Sequence, residues 1–216
     1  MKEQEKKPLI IIGAGGHAKM ISNILTESGE KILGYVDPNM EAGSNFFGSV
    51  ILGSDSSIYD YHKDEIFLVN GIGALPNDKL RWNLASKMQL KGYKFLSVIH
   101  PSSIIASNVV LGEGVQVMAG AILQTGVKVG NNSIINTGAI VDHDSFVAEN
   151  CHLAPGVVCS GGVIINKKSY IGAGASIIQN IIIGENVVIA SGSNIYKNVP
   201  KNVTLIQTTE EKLKEN

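Results

Sequence analysis

From Ile99 to Ile195 an apolar side chain returns at every sixth residue, seventeen positions in succession with no insertion or deletion (Ile99, Ile105, Leu111, Val117 and onward to Ile183, Ile189 and Ile195). With 44% of the chain apolar, such a run arises by chance on the order of once in a million. A second series, four residues behind the first, is small or β-branched and includes Val115, Ala121, Ser133, Ser145, Cys151, Ser169 and Ala175. Neither the helical period of about 3.6 nor the strand period of about 2 produces a six-residue beat. A coil with three flat sides does, one hexapeptide to each side and about 18 residues to a turn. Coils stacked at the strand spacing of about 4.8 Å pair one another's backbone edges. The large aliphatic then fills the prism and the small residue turns the corner beside it. The segment predicts a parallel β-helix of between five and six coils. Gly112, Gly130, Gly172 and Gly184 each follow the aliphatic directly, and most outward side chains are expected to be small, amide or weakly polar.

Residues 8–95 alternate between strand and helix patterns. Pro8–Ile12 reads as a buried strand ending in Gly13-Ala14-Gly15-Gly16-His17, followed by a helix to about Ser28 with Gly29 as its stop. Ile32–Val36 is a second strand closed by Asp37-Pro38, and a short strand is expected at Ser49–Leu52. Glu65–Val69 is a third, ending in Asn70-Gly71-Ile72-Gly73. Pro76-Asn77-Asp78 opens a helix to about Leu90. Strands alternating with helices form an open parallel α/β sheet, whose ligands sit beyond the carboxyl ends of the strands. The expected division is an α/β domain over 1–97, a β-helix over 98–200 and a polar tail over 201–216.

The 216 residues suffice for two such units. A formal net charge of −1 with 17% charged residues offers no basic patch for nucleic acid. No apolar run reaches the length of a membrane span and no apolar leader segment is evident, so the protein is read as cytoplasmic. Cys151 and Cys159 both fall in the inward series and are assigned to packing, in a reducing compartment. The histidines at 17, 62, 100, 143 and 152 show no metal-ligand spacing with carboxylates or thiols.

Two places can carry chemistry. Gly13, Gly15 and Gly16, with His17, form a Gly-rich turn at a helix start, where backbone can approach a phosphate closely. Asp37 stands where a carboxylate can hydrogen-bond a ribose hydroxyl. The single βαβ unit suits a mononucleotide or nucleotide sugar, and an NAD-binding module is the competing reading. Asp37-Pro38, Gly71 and Gly73 close the neighbouring strand ends and belong to the same candidate substrate site. In the coils, Asp142-His143-Asp144 breaks the weakly polar pattern. Asp144 can orient the His143 ring, as a general base requires. His152 lies half a coil away, also outward, so the two histidines meet only across a contact between copies of the chain.

A Gly-x-Gly-Gly-His turn in a small α/β sheet, then hexapeptide coils carrying an acidic-His-acidic triplet, resembles the acetyl-CoA-dependent hexapeptide-repeat sugar acyltransferases. These include the N-acetyltransferases of nucleotide-linked 4-amino-4,6-dideoxy sugars (bacillosamine and viosamine types) and the sialic-acid O-acetyltransferases. The resemblance spans Leu9 to Pro200. It implies a Rossmann-like small parallel sheet, a left-handed β-helix and a homotrimer with active sites between neighbouring coils. His143 then matches the base, Asp144 its orienting carboxylate and His152 a contact to the thioester carbonyl of acetyl-CoA. Asn136 and Gly161 fall where the family lines the cofactor site. Gly13, Gly15, His17 and Asp37 match its nucleotide-sugar turns. The small residues Gly161, Gly172, Ala173 and Ala190 are expected to border the pantetheine arm. Transfer to a hydroxyl of sialic acid or a related sugar, and a non-catalytic trimeric scaffold that binds sugar nucleotides, are the competing functions. The chain departs from the family after Val199-Pro200, where it reads Lys201-Asn202-Val203, a departure that bears on how the last coil is capped.

Overall fold

The computed structural model describes residues 7–76 and 79–207. The N-terminal unit runs β1 (Leu9–Ile12), α1 (Gly16–Glu27), β2 (Ile32–Val36), β3 (Asn45–Phe46), β4 (Ser49–Gly53), a 3₁₀ turn at Asp55–Asp60, β5 (Phe67–Asn70) and α2 (Leu80–Leu90). Sheet order is β3-β4-β2-β1-β5, and Phe95 makes a further parallel bridge to Leu68. β1 is central and every residue of it is buried. Its side chains alternate between two apolar layers, as period-2 geometry demands. Leu9 and Ile11 pack with Ala18, Ile21, Ile24 and Leu25 of α1, whereas Ile10 and Ile12 pack with Leu84, Ala85 and Met88 of α2.

Two details differ from expectation. The sheet is mixed, because β3 and β4 form an antiparallel hairpin. Its two-residue turn, Phe47-Gly48, has φ of 44° and 82°, the double positive φ of a type I′ hairpin. A phenylalanine in the first of those positions hides the turn from sequence reading. The second helix starts at Leu80, and the Asn77-Asp78 start expected for it lies outside the described residues.

From Val98 the chain coils as a left-handed parallel β-helix. Two-residue strands from Val98–Ile99 to Asn194–Ile195 each end on the aliphatic of the six-residue series. Together with Thr204–Leu205 they stack into three sheets of seven, six and five strands, all parallel. The first side carries Gln116–Val117, Ile134–Ile135 and His152–Leu153; the second Ile122–Leu123 and Ile140–Val141; the third Lys128–Val129 and Phe146–Val147. Aliphatics from Val117 to Ile189 are buried. The first end of the prism is open, leaving Ile99 44% exposed. The coil also continues past Pro200. Thr204–Leu205 pairs with Val188–Ile189, and the last turn is two residues shorter than the others.

Each corner has a constant element that the six-residue series does not advertise. The third residue after every aliphatic from Leu111 to Ile189 adopts a left-handed φ, between 55° and 77°. Glycine and asparagine reach that region at least cost, and they fill it everywhere except at Asp144 and Lys168. The small series closes the corner from inside. Ser133 Oγ donates to the Ala148 carbonyl at 2.8 Å and accepts from the Cys151 N–H at 2.9 Å. Ser169 does the same toward Gly184 and Val187. Cys151 and Cys159 are buried, and burial pushes both thiols up to about 12, which leaves them unreactive packing groups.

The three outer faces are unequal. On the first side, Val98 and Ile134 join the apolar layer beneath α1, so the N-terminal unit covers that face. On the other two, several outward positions carry large apolar side chains in place of the weakly polar residues expected: Ile104, Val110, Phe146, Ile164 and Ile182 are all exposed. Among the described residues, no helix is long and apolar enough to cross a membrane.

Candidate active site

The carboxyl ends of β1, β2 and β5 lie side by side and frame a cavity of about 420 Å³. Gly13, Gly15, Gly16, His17, Asp37, Pro38, Gly71 and Gly73 all line it. Gly13 has φ of 89°. A Cβ on Gly71 would meet Ile11, Ala18 and the Ile12 carbonyl at 2.8–2.9 Å; only glycine lets this turn pass under α1. Gly15 and Gly16 face open space at the start of α1, where unpaired N–H groups and the helix dipole favour an anion. Asp37 holds two loops together: its carboxylate accepts the Ala14 N–H and the Asn39 N–H, both at 2.9 Å.

Beneath the cavity, polar groups of both units interlock. Gln116 of the coil is 1% exposed. Its amide donates to the Asn70 carbonyl at 2.7 Å, and its Oε1 lies 2.7 Å from His17 Nε2. Because the first contact fixes the amide's orientation, the second requires His17 to carry its proton on Nε2. Arg81 is fully buried. Its Nη1 donates to the carbonyls of Asn70, at 3.0 Å, and of Ile72. Nε and Nη2 have no partner among the described residues, and burial pulls the guanidinium down to about 9.

His152 stands beside this network. It is outward-pointing, as expected, but it is buried beneath the N-terminal unit of its own chain. Thr137 N–H donates to Asn136 Oδ1 at 2.8 Å, so Asn136 Nδ2 is the donor toward His152 Nε2, at 3.1 Å. The proton of His152 therefore sits on Nδ1, which is buried beside the Ala74 backbone without a well-formed hydrogen bond. Tyr170 packs edge-on against the ring at 5.0 Å. Burial, then the positive charge of Arg81, hold both His17 and His152 down at about 4. Both rings are neutral at physiological pH.

His143 lies at the corner between the second and third sides. Its Nδ1 is 3.0 Å from Asp144 Oδ2, which leaves Nε2 as the basic nitrogen. The hydrogen bond to Asp144, then the charge of Asp142, raise its pKa above the ordinary histidine value. The ring lies over Gly161 of the next coil, where a Cβ would come within 2.5 Å of Nε2. Asp144 lies likewise over Gly126, whose Cβ would meet Oδ1 at 2.5 Å. The left-handed backbone of Asp144, φ 57°, turns its carboxylate back toward the imidazole.

The expected site residues thus form three groups within the chain. The eight cavity residues assemble together. Asn136, Gly172, Ala173 and Ala190 follow the first-side strands in one corner column, where the coil backbone passes over Gly172 so closely that a Cβ would be 2.5 Å from the Ser191 nitrogen. Gly161 departs from that set and belongs with His143, at the other corner. Gln116 and Arg81 were not anticipated. The signal for Gln116 was available: Gln116, Ile134, His152 and Tyr170 recur at 18-residue spacing on one face, and a mixed polar-apolar column of that kind marks a covered side. Nothing in the sequence marks Arg81, since a lone arginine on a helix reads as exposed.

Known families match both units of the chain. Residues 8–88 match the family described as PglD N-terminal domain, and residues 108–143 match the bacterial transferase hexapeptide family (six repeats). UDP-N-acetylbacillosamine N-acetyltransferase of Bacillus subtilis (strain 168) is 33% identical over 120 residues, covering 52% of each protein; that alignment spans about half the length of the curated relative. Perosamine N-acetyltransferase from Caulobacter crescentus, solved with CoA and GDP-perosamine, is 32% identical with a TM-score of 0.83, over 91% of this chain and 92% of its own. The acetyltransferase domain of PglB from Neisseria gonorrhoeae FA1090, solved with acetyl coenzyme A, is 27% identical with a TM-score of 0.84, over 92% and 95%.

Proposed function

The chain belongs to the family of hexapeptide-repeat nucleotide-sugar N-acyltransferases, and from that membership we propose that it transfers an acetyl group from acetyl-CoA to the 4-amino group of a nucleotide-linked 4-amino-4,6-dideoxy sugar, with His143 as general base. The observation that carries the reading is the contact between His143 Nδ1 and Asp144 Oδ2 at 3.0 Å, with Nε2 left open above Gly161.

In this reading the nucleotide occupies the cavity at the strand ends, its phosphates toward Gly15 and Gly16. The neutral amine attacks the thioester carbonyl. As the C–N bond forms, the amine proton passes to His143 Nε2. The C–S bond then breaks and the thiolate of CoA leaves, taking up the proton held on His143 Nε2 and restoring the base. The oxyanion needs a donor; in this reading a backbone N–H at a coil corner supplies it, because the Nδ1–H of His152 is buried beside Ala74. His143 stands at the corner between the second and third sides and His152 on the first side of the same prism. The reading therefore sets His143 and Gly161 of one subunit against Asn136, His152, Gly172, Ala173 and Ala190 of the next, in a closed ring of three. Positioning of two substrates in such a gap can lower a barrier by about 7–11 kcal/mol.

A thiol-release assay over UDP-, dTDP- and GDP-linked 4-amino sugars, with sialic acid as the hydroxyl comparison, tests acceptor and carrier together. His143→Ala is expected to lose about 10²–10⁴-fold in kcat while nucleotide-sugar affinity is kept. Unchanged turnover removes His143 from the mechanism.

A further inference from the structure

The Gln116 side chain uses both ends of its amide between the two units, donating to the Asn70 carbonyl and facing His17 Nε2, each at 2.7 Å. We infer that Gln116 is a positioning residue that locks His17 as the Nε2–H tautomer, so that His17 presents Nδ1 to the cavity as a hydrogen-bond acceptor for an N–H or O–H group on the sugar, and not as a phosphate ligand.

The argument is one of donors and acceptors. Asn70 O already accepts from Arg81 Nη1 and can take the Gln116 N–H but cannot offer one. The Gln116 amide is thereby unable to flip, and its oxygen demands a donor from the imidazole. That fixes the proton on Nε2. His17 lines the cavity, and Nδ1 takes no partner among the described residues. A neutral ring showing a lone pair repels the oxygens of a phosphate, although a histidine after a Gly-rich turn invites the opposite assignment. The lone pair suits a hydroxyl or an amino group instead.

Of the charged and titratable groups around this ring, Arg81 favours the neutral form and the cavity carboxylates the charged one. Arg81 of α2 and His152 of the coil stand on the buried side, and Asp37 and Asp55 line the cavity. Burial and Arg81 outweigh the Gln116 contact and hold the imidazole at about 4.

Which ligand group meets Nδ1 rests on the nucleotide-sugar reading above; the tautomer does not. Nitrogen-15 spectra of the ligand-free protein, with the His17 signals assigned by their loss in His17→Asn, are expected to show a neutral ring protonated on Nε2 at pH 7. In Gln116→Met, of similar volume, the signals are expected to move toward a mixture of tautomers. Calorimetry on Gln116→Met should then give about twofold weaker binding of the whole nucleotide amino sugar, with binding of the matching nucleoside diphosphate unchanged. An imidazolium or an Nδ1–H ring in the wild type overturns the inference. So does an equal loss for both ligands, which would put the contact at the phosphates. Failure of the wild type to bind any nucleotide sugar sinks the functional reading and leaves the spectra to decide the tautomer alone. Circular dichroism of Gln116→Met separates either result from misfolding.

Discussion

At the scale of single residues, the candidate base depends on its two neighbours in the coil stack. His143 rests on Gly161, and Asp144 rests on Gly126, so both side chains lie where the adjoining coil supplies no Cβ. The Asp144 contact raises the His143 pKa. A base works in its neutral form, so a raised pKa moves the acidic limb of the rate profile to higher pH. Asp144→Asn keeps a residue tolerant of left-handed φ but removes the charge, and the His143 pKa falls. The acidic limb of kcat/KM is then expected to shift to lower pH, with a smaller plateau because the imidazole is a weaker base. A pH–rate profile of the variant that overlays the wild type would disconnect Asp144 from the titration. His143 and Asp144 were legible in the sequence because they interrupt a regular pattern. Arg81 was not, because its buried state depends on carbonyls at Asn70 and Ile72 that only folding brings to it.

At the scale of the structural element, the hexapeptide itself is read almost completely from sequence. The inward aliphatic, the small residue behind it and the glycines of tight backbone approach are all visible as periodic letters. The left-handed corner was the unread part, since glycine and asparagine share it with two residues of other types. One of these, Asp144, has a chemical reason to be there. The other, Lys168, has φ of 60° with a β-carbon that resists it. Left-handed backbone costs a non-glycine residue about 1–2 kcal/mol. Lys168→Gly therefore relieves strain in the folded chain, partly offset by the greater freedom of glycine in the unfolded one. The expected net gain is about 0.5–1 kcal/mol, to be read from urea unfolding as a raised midpoint at unchanged slope. A lowered midpoint would mean that the Lys168–corner conformation carries no strain worth removing. Mixed character in the N-terminal sheet escaped prediction for a related reason: Phe47 takes a positive φ for which its side chain gives no warning.

At the scale of the whole molecule, the asymmetry of the prism faces bears on how the active site is completed. One face is covered by the N-terminal unit, while the other two expose Ile104, Val110, Phe146, Ile164 and Ile182. Phe146, Ile164 and Ile182 stand on consecutive strands of one face, and an exposed apolar stripe of this kind marks an association surface. The His143 corner lies between these two uncovered faces, and the corner with Asn136, Gly172 and Ala190 borders one of them. If each site draws His143 from one subunit and His152 from the next, two different defects can be separated onto different chains. His143→Ala and His152→Ala are each expected to be nearly inactive as homogeneous proteins. Subunit exchange between them, through partial denaturation and refolding, then generates interfaces where an intact His143 faces an intact His152. With random mixing in a closed ring, about one site in four is whole, so activity should return to about a quarter of the wild-type level. Sites built within one chain give no recovery at all, because every chain in the mixture carries one of the two lesions. A mixture that stays inactive while sedimentation shows exchanged oligomers would therefore confine the chemistry to the single subunit and remove the shared seam from the mechanism.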